Sequence, residues 1–284
     1  MFKYKKIVEV LNARTTLEGA GVHLHRGFGQ PQIPKFDPFL LFDDFSAQEP
    51  ADYLAGFPWH PHRGIETVTY VLKGKVNHKD SIGNSGQIAV GDVQWMSAGS
   101  GILHEEMPQG TSGMVGFQLW VNLPKNKKMS KPNYQDIKKK DISEVSLGSY
   151  ATVRTIAGNF GDINGPVKDI AAAPMYLDIE LVNGKDVIIP IPSTYNSFVY
   201  IIDGNLGLGF DEEIVYQKGN ILHFDKSDGD IFLKAGSTGA RFLLASGKPL
   251  NETIAWKGPI VMNTEEELNR AWQDLEDNTF IKNK

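Results

Sequence analysis

The strongest constraint on the fold is the alternation of short apolar runs with glycine and proline. Alternating apolar and polar residues place successive side chains on opposite faces of a strand, and each glycine or proline ends a run after a few residues. The 284 residues include 29 Gly and 15 Pro. The pattern predicts an all-β sandwich or barrel. The clearest strands are predicted at 67–72, 116–121, 176–182, 197–202 and 240–245.

A single helix is predicted, at the end of the chain. Thr264 and Glu267 have the spacing of a capping box, and the acidic residues of this first turn suit the helix dipole. The apolar face is formed by Leu268, Ala271, Trp272 and Leu275. We expect the residues from Asn278 onwards to fray.

The sequence repeats itself at an offset of about 130 residues. Residues 60–74 align with 190–204, and Gly91 aligns with Gly219. This predicts an N-terminal β domain over residues 1–130, a polar linker over 131–150, and a second β domain with the closing helix over 151–284. The linker contains Lys138-Lys-Lys140, which we interpret as solvated surface. The alternative is a nuclear-targeting or nucleic-acid role.

Composition excludes several classes of site and partner. The chain has no cysteine, so any metal must be held by His, Asp, Glu or backbone oxygen. The 29 Lys+Arg against 34 Asp+Glu give a net charge of -5, which argues against direct nucleic-acid binding. No apolar segment follows the basic N-terminus, and no apolar run approaches the roughly 18 residues of a membrane span. We expect a cytoplasmic protein, with the nucleus also open for a eukaryotic chain.

Two pairs of residues are candidate metal ligands: His60 with His62, and His104 with Glu106. Residues i and i+2 of a strand share a face, so the four side chains converge if the two strands are neighbours. Three imidazoles and one carboxylate suit a first-row divalent metal. The candidate ions are Fe(II), Mn(II), Ni(II), Co(II), Cu(II) and Zn(II).

The repeat supports this set, because all four ligands are missing from the second copy. The residues aligned with them there are Pro190, Pro192, Phe232 and Lys234. The competing pair is His23 and His25, which also has the i,i+2 spacing but has no nearby residue to complete a site.

Several neighbouring residues are assigned by spacing. Glu66 lies four residues after His62 and is expected to share the metal-facing side, whereas Glu105 should point away. Phe57 and Trp59 are interpreted as rim residues of a pocket, with barrel packing as the alternative. The remaining histidines, His78 and His223, are expected in the core or in solvent.

The motifs resemble those of a known family. The spacing from His60 and His62 to Glu66, and from Gly91 to His104, resembles the two cupin motifs. It departs from them because Gly74 comes one residue late and His104 comes two residues late after Gly99. These departures look like the pirin family, and so do the strings at 37–43, 60–70, 91–108 and 258–267. The match runs essentially from end to end.

The resemblance implies a bicupin: an all-β fold of two tandem cupin barrels (double-stranded β-helix, or jelly-roll) with a C-terminal α-helix. The N-terminal cupin would hold a metal, most often iron, through His60, His62, His104 and Glu106, and the second cupin would be metal-free. A monomer is expected, because a bicupin carries its own pseudo-dimer.

Three functions follow as hypotheses. Some pirins are similar to quercetin 2,3-dioxygenases, which open a flavonol with O₂ and release carbon monoxide; here Glu106 would be the base and Glu66 the alternative. Other family members are iron-dependent partners of transcription regulators or metabolic enzymes, without turnover. A different cupin reaction, such as a zinc isomerase or hydrolase, is the third hypothesis.

Overall fold

The computed structural model describes residues 3–283, with only the backbone path for residues 211–214. The fold is all-β with one α-helix, as predicted. The strands are β1 (Ile7–Asn12), β2 (Arg14–Glu18), β3 (Val22–Phe28), β4 (Phe39–Asp44), β5 (Phe57–His62), β6 (Ile65–Lys73), β7 (Lys75–Asp80), β8 (Ser85–Ile88), β9 (Val93–Ser97), β10 (Ile102–Gln109), β11 (Val115–Asn122), β12 (Asn133–Ile137), β13 (Ser143–Leu147), β14 (Ala151–Ala157), β15 (Asn159–Phe160), β16 (Ile163–Asn164), β17 (Met175–Leu181), β18 (Asp186–Ile189), β19 (Asn196–Leu208), β20 (Asp211–Gln217), β21 (Asn220–Phe224), β22 (Ile231–Gly247), β23 (Ala255–Lys257) and β24 (Ile260–Met262). The helix α1 spans Glu265–Glu276, and short 3₁₀ turns lie at Gln30–Gln32, Pro50–Asp52, Lys125–Lys127 and Lys139–Asp141.

The contacts divide the described residues into two units. The first unit comprises residues 14–139 and 250–283, and the second unit comprises residues 3–13 and 140–249. This division differs from the predicted boundaries at both ends of the chain. Strand β1 pairs with β21 of the second unit, and α1 packs on β23 and β24 of the first unit. The sequence of an edge strand or a terminal helix carries no signal for the sheet that it joins.

The first unit contains a seven-stranded sheet in the order β12-β9-β6-β11-β4-β3-β2 and a four-stranded sheet in the order β5-β10-β7-β8. The two sheets meet through a hydrogen bond from Thr69 of β6 to Glu106 of β10. This is the jelly-roll arrangement expected of a cupin barrel.

The second unit repeats this order, as the internal repeat predicts. Its sheet runs β1-β21-β19-β22-β17-β14-β13, with β18 added to β22 and β20 added to β19. Strands β19 and β22 are 13 and 17 residues long. The core of this unit is aliphatic and aromatic, with Val199, Phe242 and Leu244 fully buried.

The predicted polar linker is not a continuous loop. Strand β12 extends the sheet of the first unit by pairing with β9, and β13 pairs with β14 in the second unit. The lysine run lies between them and is exposed, as a solvated surface requires. Lys138 also pairs with Asp92 at 2.9 Å.

The closing helix begins as predicted. The Thr264 hydroxyl accepts from the Glu267 N–H, and the Glu267 carboxylate accepts from the Thr264 N–H, each at 3.2 Å. The expected fraying after Asn278 is wrong, because Phe280 is only 2% exposed and its carbonyl accepts from Arg63. Among residues 3–283, no helix has the length and apolar character that crossing a bilayer requires.

Candidate metal centre

Three of the four predicted ligands converge in the first unit. His60 and His62 lie on β5, His104 lies on β10, and the antiparallel pairing places His104 opposite His60. Potential ligand atoms of the three imidazoles all lie within 4.8 Å of one another. Among the described residues, this is the one cluster of potential ligands of its kind.

Backbone carbonyls orient the first two imidazoles. His60 Nδ1 lies 2.8 Å from the oxygen of Pro58, and His62 Nδ1 lies 3.1 Å from the oxygen of Pro259. A carbonyl only accepts, so each Nδ1 carries the proton and each Nε2 carries a lone pair. Such contacts fix the tautomer of metal-binding histidines in general.

The two Nε2 atoms face each other at 3.1 Å. Burial lowers the pKa of His60, against the opposing hydrogen bond to Pro58, and lowers the pKa of His62 further. Both rings are therefore neutral, and their lone pairs repel unless a cation lies between them. Two nitrogens that each lie about 2.1 Å from one ion are about 3.0–3.4 Å apart for octahedral or tetrahedral angles. The observed separation fits a shared divalent metal.

His104 gives a second, independent indication. Its side chain is 1% exposed, and neither ring nitrogen has a hydrogen-bond partner within the described residues. Burial, followed by the neighbouring imidazoles, lowers the pKa of His104 well below its usual range. A buried polar group without a partner costs about 1–3 kcal/mol, and a metal ligand bond would remove that cost.

Glu106 lies on the same strand as His104 and lines the same cavity as His60 and His62. Burial raises its pKa to about 7, although a 2.8 Å hydrogen bond from Thr69 opposes the shift. Thr69 Oγ1 also lies 2.6 Å from the side-chain amide of Gln118. The Gln118 atom that faces Thr69 is Oε1. A hydroxyl has one proton, so when Thr69 donates to an ionised Glu106, the Gln118 amide must be turned over for its NH₂ to donate to Thr69. The role of Glu106 as the fourth metal ligand remains a prediction.

A cavity of about 760 Å³ opens beside these residues, within the range of about 300–1,000 Å³ that is usual for small-molecule sites. Its apolar lining includes Phe57, Trp59, Trp120, Trp256 and Pro259. Its polar lining includes Glu18, Arg26, Asp43, Thr69, Gln118 and Glu106. The predicted rim residues Phe57 and Trp59 are both present, and Trp59 is 50% exposed.

The expectation for Glu66 is wrong. Its carboxylate accepts from the Trp95 indole N–H at 3.1 Å, and it does not line the cavity. The even spacing from His62 fails because β5 ends at His62 and β6 begins at Ile65, with Gly64 at φ +78° in the turn between them. Glu105 points away as expected and lies 3.9 Å from Lys79.

The other histidines lie outside the cluster. His23 and His25 are exposed on β3, and His23 contacts Asp52 at 2.6 Å. His78 is buried at 3% exposure, as expected of a core histidine. His223 lies near Glu9, at 3.9 Å, on β21 of the second unit.

In the second unit, the alignment of residues 60–74 with 190–204 is wrong by two residues at its first strand. Strand β18 pairs with β22 as β5 pairs with β10, and Ile188 lies opposite Phe232. The counterpart of His60 is therefore Ile188 and not Pro190. The connection from β18 to β19 is longer than that from β5 to β6, and the alignment did not allow for this insertion.

Sequence reasoning missed the residues that support the site from distant parts of the chain. Arg63, adjacent to His62, is 2% exposed and donates to Asp274 of α1 at 2.8 Å. Burial raises the pKa of Asp274, but hydrogen bonds from Arg63 and Lys282 outweigh it and lower the pKa to about 2. No local pattern joins residues so far apart. The one available signal was the string at 258–267, which contains Pro259.

The fold and the site define the class of protein. Two double-stranded β-helix barrels in one chain, with a histidine cluster in the first unit, make it a bicupin. The chain belongs to the pirin family: the sequence model described as Pirin matches residues 21–121, and that of the Pirin C-terminal cupin domain matches residues 176–281.

Individual relatives agree with this assignment. A Pseudomonas aeruginosa protein named "Putative quercetin 2,3-dioxygenase" is 39% identical and covers 98% of both chains. Pirin of Mus musculus is 37% identical and covers 97% of this chain and 93% of its own. The crystal structure of a protein named quercetin 2,3-dioxygenase from Acinetobacter baumannii superposes with a TM-score of 0.89 at 31% identity, covering 98% of this chain and 99% of that one.

Proposed function

We propose that the protein is a metal-dependent dioxygenase that opens flavonols such as quercetin with O₂ and releases carbon monoxide. The observation that carries the proposal is a cavity of about 760 Å³ with aromatic lining and with neutral His60 and His62 among its lining residues. The relatives named as quercetin 2,3-dioxygenases support the same reaction.

His60, His62, His104 and Glu106 are the residues that would hold the metal, and Fe(II) is the ion that we propose. When bound, the ion supplies the Lewis acidity and the redox chemistry that reaction between a flavonol and O₂ requires. The chain's own residues then have three tasks: they bind the flat substrate, hold its proton and exclude water.

Glu106 is the proposed base for the 3-hydroxyl proton of the flavonol. A pKa of about 7 suits proton transfer near neutral pH. Thr69 donates to Oε1 of the carboxylate, so Oε2 is the atom left to take either the metal or the substrate proton. Glu106 as a whole is 6% exposed, which limits exchange of that proton with bulk water.

Aromatic residues provide the surface for a flat substrate. The Trp120 ring lies 5.0 Å from the His62 ring, edge to face, and 5.9 Å from the Trp256 ring. Both tryptophans line the cavity. Rings of this kind bury large apolar areas and favour offset stacking, so they can bind the substrate beside the histidines.

The test is oxygen uptake by Fe(II)-loaded protein with and without quercetin. We expect uptake that needs quercetin and is lost in His62→Ala. A Zn(II)-loaded sample is the matched control, because zinc fills the same ligands without redox chemistry and should give no uptake. Stoichiometric iron without quercetin-dependent uptake would contradict the proposal, and would favour a pirin that binds iron to regulate a protein partner.

A further inference from the structure

A row of polar side chains crosses the cavity face of the seven-stranded sheet. Thr69 on β6 lies opposite Gln118 on β11, Gln118 lies opposite Asp43 on β4, and Asp43 lies opposite Arg26 on β3. Directly opposed residues on neighbouring strands share a face, and all four line the cavity. The row begins beside Glu106, to which Thr69 donates.

The row extends over four neighbouring strands. Three steps between neighbouring strands, of about 4.8 Å each, separate the backbones of Thr69 and Arg26 by up to about 14 Å. A flavonol carries its 3-hydroxyl on the central one of its three rings, and the two outer rings extend from it in opposite directions. A flavonol whose central ring lies beside His60 and His62 can therefore direct one outer ring along this row toward Arg26.

Arg26 is held in place by two carboxylates. Its Nε and Nη2 donate to the two oxygens of Asp43 at 2.9 and 2.7 Å, and its Nη1 donates to Oε1 of Glu18 at 2.8 Å. The Asp43 side chain is 7% exposed, whereas those of Arg26 and Glu18 are 30% and 40% exposed. Asp43 is thus the buried anchor, and the other two residues present polar atoms to solvent and to the cavity.

The unused polar atoms of this group define the ligand that it can bind. A guanidinium has five N–H donors, and three are taken, so two remain, and Glu18 retains its Oε2 as an acceptor. One positive and two negative charges make the group anionic, which disfavours an anionic ligand. Hydroxyl groups both donate and accept, and they match this set while remaining neutral.

We propose that Arg26 and Glu18 recognise the phenolic hydroxyl groups on the outer ring of the substrate that extends toward β3. The inference rests on the proposed function, because a flavonol supplies the flat rings and places its 3-hydroxyl at the metal. It makes Arg26 and Glu18 residues that determine specificity among flavonols.

The test compares quercetin with 3-hydroxyflavone, which keeps the 3-hydroxyl and lacks all the others. Affinities are measured without O₂ on metal-loaded protein through quenching of tryptophan fluorescence, since Trp59, Trp120 and Trp256 line the cavity. We expect the wild type to bind quercetin at least tenfold more tightly. The double variant Arg26→Gln, Asp43→Asn removes the charges as a pair and should lose this preference, mainly through weaker binding of quercetin.

Two further variants keep the test decisive. Arg14→Gln removes a positive charge from the exposed residue opposite Arg26 on β2 and should leave the preference unchanged. Glu18→Gln keeps the Arg26–Asp43 pair, so it tests the idea if the double variant does not fold. Glu18→Gln should weaken the binding of quercetin about threefold or more and leave the binding of 3-hydroxyflavone unchanged.

The outcomes separate this inference from the proposed function. A wild type without preference for quercetin, or a folded double variant that keeps the preference, would overturn the inference even if oxygen uptake is observed. If the double variant does not fold, Glu18→Gln with unchanged quercetin affinity would overturn it. A preference that depends on Arg26 would support it even if no oxygen is consumed, and in that case only the proposed reaction fails.

Discussion

Replacing Thr69 with valine tests whether Glu106 is a ligand. Valine has nearly the same shape but lacks the hydroxyl that donates to Glu106 Oε1 at 2.8 Å. A hydrogen bond to a charged group contributes about 1.5–3 kcal/mol, which corresponds to about 10–100-fold in an equilibrium constant. Loss of a supporting hydrogen bond at a metal site reduces metal affinity over the same range. We therefore expect Thr69→Val to bind Fe(II) or Zn(II) about 10–100-fold more weakly at pH 7.

The pH dependence gives a second observable from the same variant. Burial raises the pKa of Glu106 to about 7, although the hydrogen bond from Thr69 lowers it. Loss of that hydrogen bond in Thr69→Val therefore raises the pKa further. A protonated carboxyl must lose its proton to bind the metal. The deficit in affinity should therefore be smallest above the new pKa, grow as the pH falls from that pKa to about 7, and stay constant at lower pH.

The assay is competition against a metal chelator at pH 6, 7, 8 and 9, pH values chosen to bracket the pKa of about 7. Thr69→Ser is the matched control, because it keeps the hydroxyl, and it should stay within about threefold of the wild type. Equal affinities of Thr69→Val and Thr69→Ser at every pH would refute the assignment of Glu106 as a ligand. A loss in Thr69→Val that does not change with pH would refute the proposed coupling to the carboxyl proton.

Three other perturbations have defined outcomes. His104→Ala should abolish stoichiometric metal binding, measured by elemental analysis, whereas His23→Ala should retain it; loss in both would contradict the site. Asp274→Asn leaves the buried guanidinium of Arg63 unpaired and should lower the free energy of unfolding by about 3 kcal/mol in urea titrations. The pKa of Asp274 in the folded protein is about 2, so its stabilising effect is complete above about pH 4 and is lost toward about pH 2. If Asp274→Asn and the wild type had the same free energy of unfolding at pH 7, this prediction would be contradicted. Gly64→Ala forces a β-carbon into the φ +78° turn and against a backbone carbonyl, and should cost about 2 kcal/mol or more; a neutral effect would show that the turn can relax.

The histidine cluster could be predicted from sequence because its geometry is local. His60 and His62 share a strand, and so do His104 and Glu106, so alternation alone places each pair on one face. Only the adjacency of the two strands had to be assumed, and the pairing of β10 with β5 confirms it.

The errors arose where the chain leaves regular alternation. Glu66 was placed by counting through the turn at Gly64, where two residues belong to neither strand. The alignment of Pro190 with His60 failed for a similar reason, since the connection after β18 is longer than the one after β5. In both cases the counting rule is valid within a strand and not across a turn.

The supporting contacts could not be predicted, because they join distant parts of the sequence. The Pro259 carbonyl orients His62, and Asp274 pairs with Arg63. Both come from the C-terminal segment, which packs in the same unit as the histidines. Neither a carbonyl oxygen nor the partner of a single arginine leaves a periodic pattern in the sequence.

The most direct test of the central claim is the carbon monoxide yield of Fe(II)-loaded protein in the presence of quercetin and O₂, measured together with oxygen consumption. Insertion of one O₂ into a flavonol with loss of one ring carbon requires equal amounts of carbon monoxide released and O₂ consumed. We expect this equality in the wild type and the loss of both signals in His104→Ala. Oxygen consumption without carbon monoxide, or unchanged release from His104→Ala, would contradict it.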